Sequence, residues 1–159
     1  MGLIIVDIGD YKVSNNIDDT IKTFALGSCV AVLIYDKVVK IAGMIHIALP
    51  DSNVDKEKAM EKPAYFADTG LPLFIEELKI MGATRKNIWI KLVGGATIMD
   101  PNSIFDIGIR NVLEIKRILW KDQLGSIAED IGDKISRTVS ISVNNGLVNI
   151  ISNGRNWYL

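Results

Sequence analysis

Apolar positions along the chain fall into short runs that alternate between strand-like and helix-like spacing. Leu3 to Ile8 predicts a short strand, whereas Tyr11 to Asp19 is polar and predicts a loop. Ser28 to Tyr35 is β-branched and aliphatic, too short for an independent helix, and predicts a buried strand. Asp36-Lys37 can turn the chain into a second strand, Val38 to Leu49, which Pro50-Asp51-Ser52-Asn53 stops. Residues 51–62 are polar and charged, as expected of a surface loop. Pro63 can open a helix whose apolar side is Tyr65, Phe66, Thr69, Leu73, Phe74, Leu78 and Met81, with Gly82 at its end. Pro72 conflicts with a straight helix there and predicts a kink or a late start near Gly70.

Asn87 to Val93 alternates as a strand and Gly94-Gly95 ends it. Asp106 reads as the N-cap of a helix running to Lys121, with Ile107, Val112, Ile115, Ile118 and Leu119 inward. Gly125 to Asp130 and Arg137 to Val143 read as strands, and Asn144-Asn145-Gly146 as the tight turn of a hairpin with Leu147 to Ile151. Strands outnumber helices and helices lie between strand pairs. The fold class this predicts is α+β, with mixed sheets and flanking helices, over a single domain spanning 1–159.

Composition narrows the function. The 159 residues are 48% hydrophobic and 23% charged, with 18 Lys+Arg against 19 Asp+Glu and a net charge of −1. There is no basic excess to recruit nucleic acid. No apolar stretch approaches the roughly 20 residues of a membrane helix, and the N-terminus lacks the basic region of a signal peptide, so a cytoplasmic protein is expected. One Cys and one His are too few ligands for a structural zinc site. No heptad pattern is present, and a monomer is the expectation. The three tryptophans, Trp89, Trp120 and Trp157, read as packing residues.

Cys29 and His46 are the candidate chemistry, on strands expected to be neighbours. In an antiparallel hairpin with an even loop around residues 36–39, paired positions sum to 75, which sets Cys29 opposite His46, or to 73, which makes them diagonal. Either register puts both on one side of the sheet; a one-residue bulge would separate them. A thiol beside an imidazolium becomes a useful nucleophile, and Gly27-Ser28 before it would let a substrate approach main-chain N–H groups. Spacing alone equally accommodates an inert buried cysteine and a satisfied core histidine.

The order of motifs goes further. Thr23-Phe24-Ala25-Leu26-Gly27-Ser28-Cys29-Val30-Ala31-Val32 is followed by Gly43-Met44-Ile45-His46-Ile47-Ala48-Leu49-Pro50, then Tyr65-Phe66-Ala67-Asp68-Thr69 and Gly94-Gly95-Ala96. Ile107-Gly108-Ile109-Arg110-Asn111-Val112 and Ala128-Glu129-Asp130-Ile131-Gly132 complete the series. Together they resemble the CheD family of chemoreceptor glutamine deamidases, over about residues 3 to 151. The resemblance implies a cysteine hydrolase with Cys29 as nucleophile, His46 as general base and acid, and Thr23 orienting the imidazole. It further implies that Gly27, Ser28, Gly94 and Gly95 serve as oxyanion or substrate-positioning elements. No metal or organic cofactor is implied.

The implied fold is that of bacterial toxin deamidases, with mixed sheets in layers under flanking helices. The implied substrate is a glutamine on the cytoplasmic helices of a chemoreceptor, with receptor methyl-ester hydrolysis as a side activity and the CheC phosphatase as a partner. Two other readings compete: a non-catalytic adaptor that binds receptor or phosphatase, and a small-molecule amidase. Arg110 and Asn111 read as structural. The chain departs from the family pattern at Asp133, where many relatives carry Gly, at the Gly70/Pro72 pair, and across Thr97 to Phe105.

Overall fold

The computed structural model describes residues 2–97 and 106–159; most of the divergent segment Thr97 to Phe105 therefore lies outside the described residues. Among the described residues, ten strands form two five-stranded sheets. In chain order they are β1 (Gly2–Ile5), β2 (Tyr11–Ser14), β3 (Asp19–Leu26), β4 (Val30–Asp36), β5 (Ile41–Ile47), β6 (Ile88–Gly94), β7 (Ala128–Ile131), β8 (Arg137–Ser142), β9 (Val148–Ser152) and β10 (Arg155–Tyr158). The helices are α1 (Lys56–Glu61), α2 (Ala67–Ile80) and α3 (Ile107–Lys121). One sheet runs β1-β3-β8-β9-β10 and the other β2-β5-β4-β6-β7. Both are mixed: β1–β3 and β6–β7 pair in parallel, while the other neighbours are antiparallel. This is the α+β class expected.

The apolar runs of β4 and β5 do not alternate because both strands are buried on both faces. Val30, Val32, Ile34, Ile41, Ile45 and Ile47 pack under α2 and α3 with Leu71, Phe74, Leu78, Ile115 and Leu119. Ala31, Leu33, Tyr35, Ala42 and Met44 face the other sheet and meet Ile21, Leu26, Val139, Ile141 and Ile150. The order of layers is therefore helices, sheet, sheet. Gly43 lets α2 approach closely, because a Cβ there would sit 2.8 Å from the Phe74 ring.

Several expectations are corrected. Tyr11 to Asp19 is not all loop: Tyr11–Ser14 adds an edge strand to β5, and β3 begins at Asp19. Residues 51–62 are folded into a 3₁₀ turn, Ser52–Val54, and the helix α1, with the Asp51 and Asp55 side chains accepting from Asn53 N–H and Lys58 N–H. Pro72 does not delay α2, which starts at Ala67 and runs on to Ile80. Gly70 is needed for a different reason, since a Cβ there would lie 2.5 Å from the Ala64 backbone. Asp106 does hold the N-cap position of α3, but with left-handed backbone (φ 44) in place of the extended form usual for a cap. Trp120 is 80% exposed and is no packing residue, whereas Trp89 and Trp157 pack against the inter-sheet core. The hairpin beginning at Arg137 continues into a third strand, β10, across Asn153-Gly154, both at positive φ as a two-residue turn requires.

Candidate active site

Thr23, His46 and Cys29 come from three consecutive strands or their ends. Thr23 points inward from β3, just before a bulge in which Phe24 and Ala25 oppose the single residue Thr138. Ala25 takes up the strain at φ 53. His46 lies near the end of β5 and is 2% exposed. Cys29 immediately precedes β4 and is partly exposed, with its side chain against the inter-sheet core.

The register of β4 against β5 differs from both sums expected. Ala31 pairs with His46 and Asp36 with Ile41, so positions sum to 77. The cause is the turn: the buried Asp36 carboxylate accepts from Val38 N–H and Val39 N–H, which folds residues 37–40 into the connection. The sum remains odd, so Cys29, two residues before Ala31, stays on the inter-sheet side with His46 as a diagonal neighbour.

Thr23 Oγ1 donates to the Val6 carbonyl at 2.6 Å and lies 2.7 Å from His46 Nδ1. A hydroxyl has one proton. With that proton on Val6, Thr23 accepts from His46 Nδ1–H, which leaves the lone pair on Nε2. Nε2 is buried and has no hydrogen-bond partner among the described residues. Burial pushes the imidazolium pKa down to about 4, against a smaller opposite pull from the Asp7 carboxylate. Burial likewise pushes the Cys29 thiol up to about 11, partly offset by its own backbone N–H. Both shifts favour the neutral forms, thiol and imidazole.

The loop carrying Cys29 is held from behind. The carbonyls of Gly27, Ser28 and Cys29 accept from Ala96 N–H (2.8 Å), Asn111 Nδ2 (3.0 Å) and Gly95 N–H (2.9 Å). Gly94 and Gly95 (φ 117 and 66) make this approach feasible: a Cβ on Gly94 would stand 2.3 Å from the Cys29 carbonyl oxygen. With its N–H engaged by the Cys29 carbonyl, Gly95 shapes the loop that carries Cys29. Gly108 brings the first turn of α3 against the same turn, where a Cβ would fall 2.4 Å from the Gly95 oxygen. Arg137, 1% exposed, closes the support with bonds to Asp130 (2.8 Å) and the Gly132 carbonyl (2.9 Å). Asp133 takes a left-handed φ of 58 and its carbonyl accepts from Thr97 N–H.

Asn111, read from sequence as structural, is wholly buried and its Nδ2 reaches both the Ser28 and the Ala48 carbonyls at 3.0 Å. Arg110 is exposed. Among the described residues, no three or more His, Cys, Asp and Glu side chains group as a metal ion would need, and no helix is long and apolar enough to cross a membrane.

The comparisons with known proteins agree with this arrangement of motifs. The chain is 47% identical over 157 residues, 98% of its own length and 97% of the relative's, to a Syntrophotalea carbinolica protein named "Probable chemoreceptor glutamine deamidase CheD". The chain belongs to the CheD family. Residues 48–152 match the CheD family model, described as CheD chemotactic sensory transduction. Other CheD relatives include one from Syntrophus aciditrophicus, 43% identical over 97% of this chain and 96% of the relative, and one from Solibacter usitatus, 40% identical over 98% and 92%. The family-model match begins after His46, so Thr23, Cys29 and His46 fall only within the longer pairwise CheD alignments.

Proposed function

We propose that this protein deamidates selected glutamine side chains of chemoreceptors, with Cys29 as nucleophile, His46 as general base and acid, and Thr23 orienting the imidazole. The observation that carries the mechanism is the bare Nε2 of His46, its tautomer set by Thr23, on the same face as Cys29. The substrate comes from the near-full-length likeness to proteins named for that activity.

In the first half-reaction the Cys29 proton passes to Nε2 as sulfur bonds to the carboxamide carbon. The tetrahedral oxyanion accepts from the N–H groups of Ser28 and Cys29, the loop that Gly27 opens to substrate. The imidazolium then gives its proton to the departing nitrogen, and ammonia leaves a thioester. In the second half-reaction neutral His46 takes a proton from water, hydroxide adds to the thioester, and the proton returns to sulfur as glutamate is released. A methyl ester of the same side chain would follow the same steps with methanol as leaving group. The reaction belongs in the cytoplasm, where the receptor's signalling helices lie.

The test is incubation with receptor cytoplasmic fragments, followed by mass spectrometry for the gain of about 1 Da that each exchange of amide for acid entails. Wild type should produce the gain and Cys29→Ala none. A gain that persists in Cys29→Ala overturns the nucleophile. Receptor binding without mass change in the wild type supports an adaptor instead, and turnover of free glutamine supports a small-molecule amidase.

A further inference from the structure

We propose that Asn111 is a positioning residue that aims the Cys29 N–H and ties the nucleophile loop to the strand end beyond His46; this rests on the deamidase reading. In a planar trans peptide a carbonyl and the following N–H point in opposite directions. The Ser28 carbonyl and the Cys29 N–H belong to one such unit. Asn111 Nδ2 holds that carbonyl at 3.0 Å toward α3, so the Cys29 N–H is turned the other way. Ala96 N–H acts in the same sense on the Gly27 carbonyl, whose unit carries the Ser28 N–H. Among the described residues neither the Ser28 nor the Cys29 N–H meets a backbone acceptor. Both donors of the loop are thus oriented from behind, and the Cys29 N–H faces its own sulfur.

The second proton on Asn111 Nδ2 goes to the Ala48 carbonyl, also at 3.0 Å. Ala48 lies two residues beyond His46. One amide nitrogen therefore spans the residue before the nucleophile and the strand end beyond the base, and fixes their separation. The rest of the side chain is not optimised for stability. Asn111 is fully buried, yet its Oδ1 has no partner among the described residues. A buried acceptor left unsatisfied opposes folding, which fits a side chain held in place for its nitrogen.

Two readouts test the assignment: deamidation of receptor fragments, and the pH dependence of Cys29 alkylation by iodoacetamide, which needs no substrate. Ile115→Ala, one turn along α3 and equally buried, is the control for lost core packing. Asn111→Ala should lower kcat about 10²-fold, the scale of losing one oxyanion donor, with KM within about threefold. Its alkylation profile should move to higher pH, because the Cys29 N–H no longer stabilises the thiolate. Asn111→Ser, which keeps one donor, should fall between, and serves if the alanine variant does not fold. Ile115→Ala should lower the melting temperature and leave both readouts near wild type. An Asn111 variant that behaves like Ile115→Ala in kcat and alkylation overturns the proposal. If wild type does not deamidate receptors, the deamidase reading fails while the alkylation profiles still decide the role of Asn111.

Discussion

Thr23 Oγ1 and His46 Nδ1 stand 2.7 Å apart, and the only proton on that hydroxyl is committed to the Val6 carbonyl. Thr23 thus acts on the imidazole as an acceptor, selecting the tautomer with a basic Nε2. Thr23→Val removes this selection and leaves the Val6 carbonyl unpaired, at a cost of about 1–3 kcal/mol in stability. The expected kcat is about 10- to 100-fold lower, with Thr23→Ser near wild type. Steady-state deamidation and thermal melts of the two variants check this.

The pH profile should be unusually broad on its acid side. As the proposed base, His46 would work only when neutral, and burial lowers its pKa to about 4. The rate is therefore expected to stay level down to about pH 5 and to halve near 4. An acid limb centred at 6–7 would place His46 in a far more hydrated setting. The resting thiol should alkylate slowly at pH 8 and faster toward its pKa of about 11.

Stability should respond to the same two groups in opposite directions. The folded pKa of His46 lies below its ordinary 6.5, so between about 6.5 and 4 the unfolded chain binds more protons. Stability then falls as pH drops through that window, by about 3 kcal/mol in all. Cys29 is raised from 9.0 to about 11, so the unfolded chain loses its proton first and stability falls as pH rises between those values, again by about 3 kcal/mol. Urea titrations should show the His46 step vanish in His46→Gln and the Cys29 step vanish in Cys29→Ala.

Gly94→Ala should be among the more damaging single-methyl additions in the molecule. A side chain at φ 117 carries about 1–3 kcal/mol of backbone strain, and here its Cβ also meets the Cys29 carbonyl at 2.3 Å. Relief requires moving the nucleophile loop. Activity is expected to drop by at least about 10-fold beyond what the fraction unfolded explains. Gly125→Ala, with nothing within 4 Å, should leave both properties unchanged.

The parts legible in the sequence were those whose signal is local. The apolar runs of β4 and β5, the alternation of β6 and the inner stripe of α3 were read within a few residues of their bounds, as was the Asn144-Asn145-Gly146 turn. β3 was not read, although Ile21 and Thr23 face inward between Lys22 and Phe24, because the bulge at Phe24-Ala25 breaks the alternation after a few residues. The α1 helix was missed despite Asp55 three residues before Lys58, since a short polar helix has no apolar stripe to show. The strand register escaped for a tertiary reason: Asp36 turns its carboxylate onto the connection and also accepts from Thr84 N–H, a contact no local pattern reveals. In the site, residue identity was visible in the motif order. The resting charge state was not, because it depends on how deeply the two sheets bury Cys29 and His46.

The proposed base and the proposed nucleophile are anchored in different kinds of backbone, one in a strand and the other in an irregular stretch. His46 sits in a strand enclosed on both faces, whose amide protons should exchange only on global unfolding. Cys29 stands at the end of an irregular stretch, 27–29, framed by a bulge and tethered through three carbonyls. Loosening those tethers would take the sulfur out of alignment while the histidine stayed in register. By the proposed mechanism, a small excursion of that one loop would therefore silence hydrolysis with the body of the protein still folded.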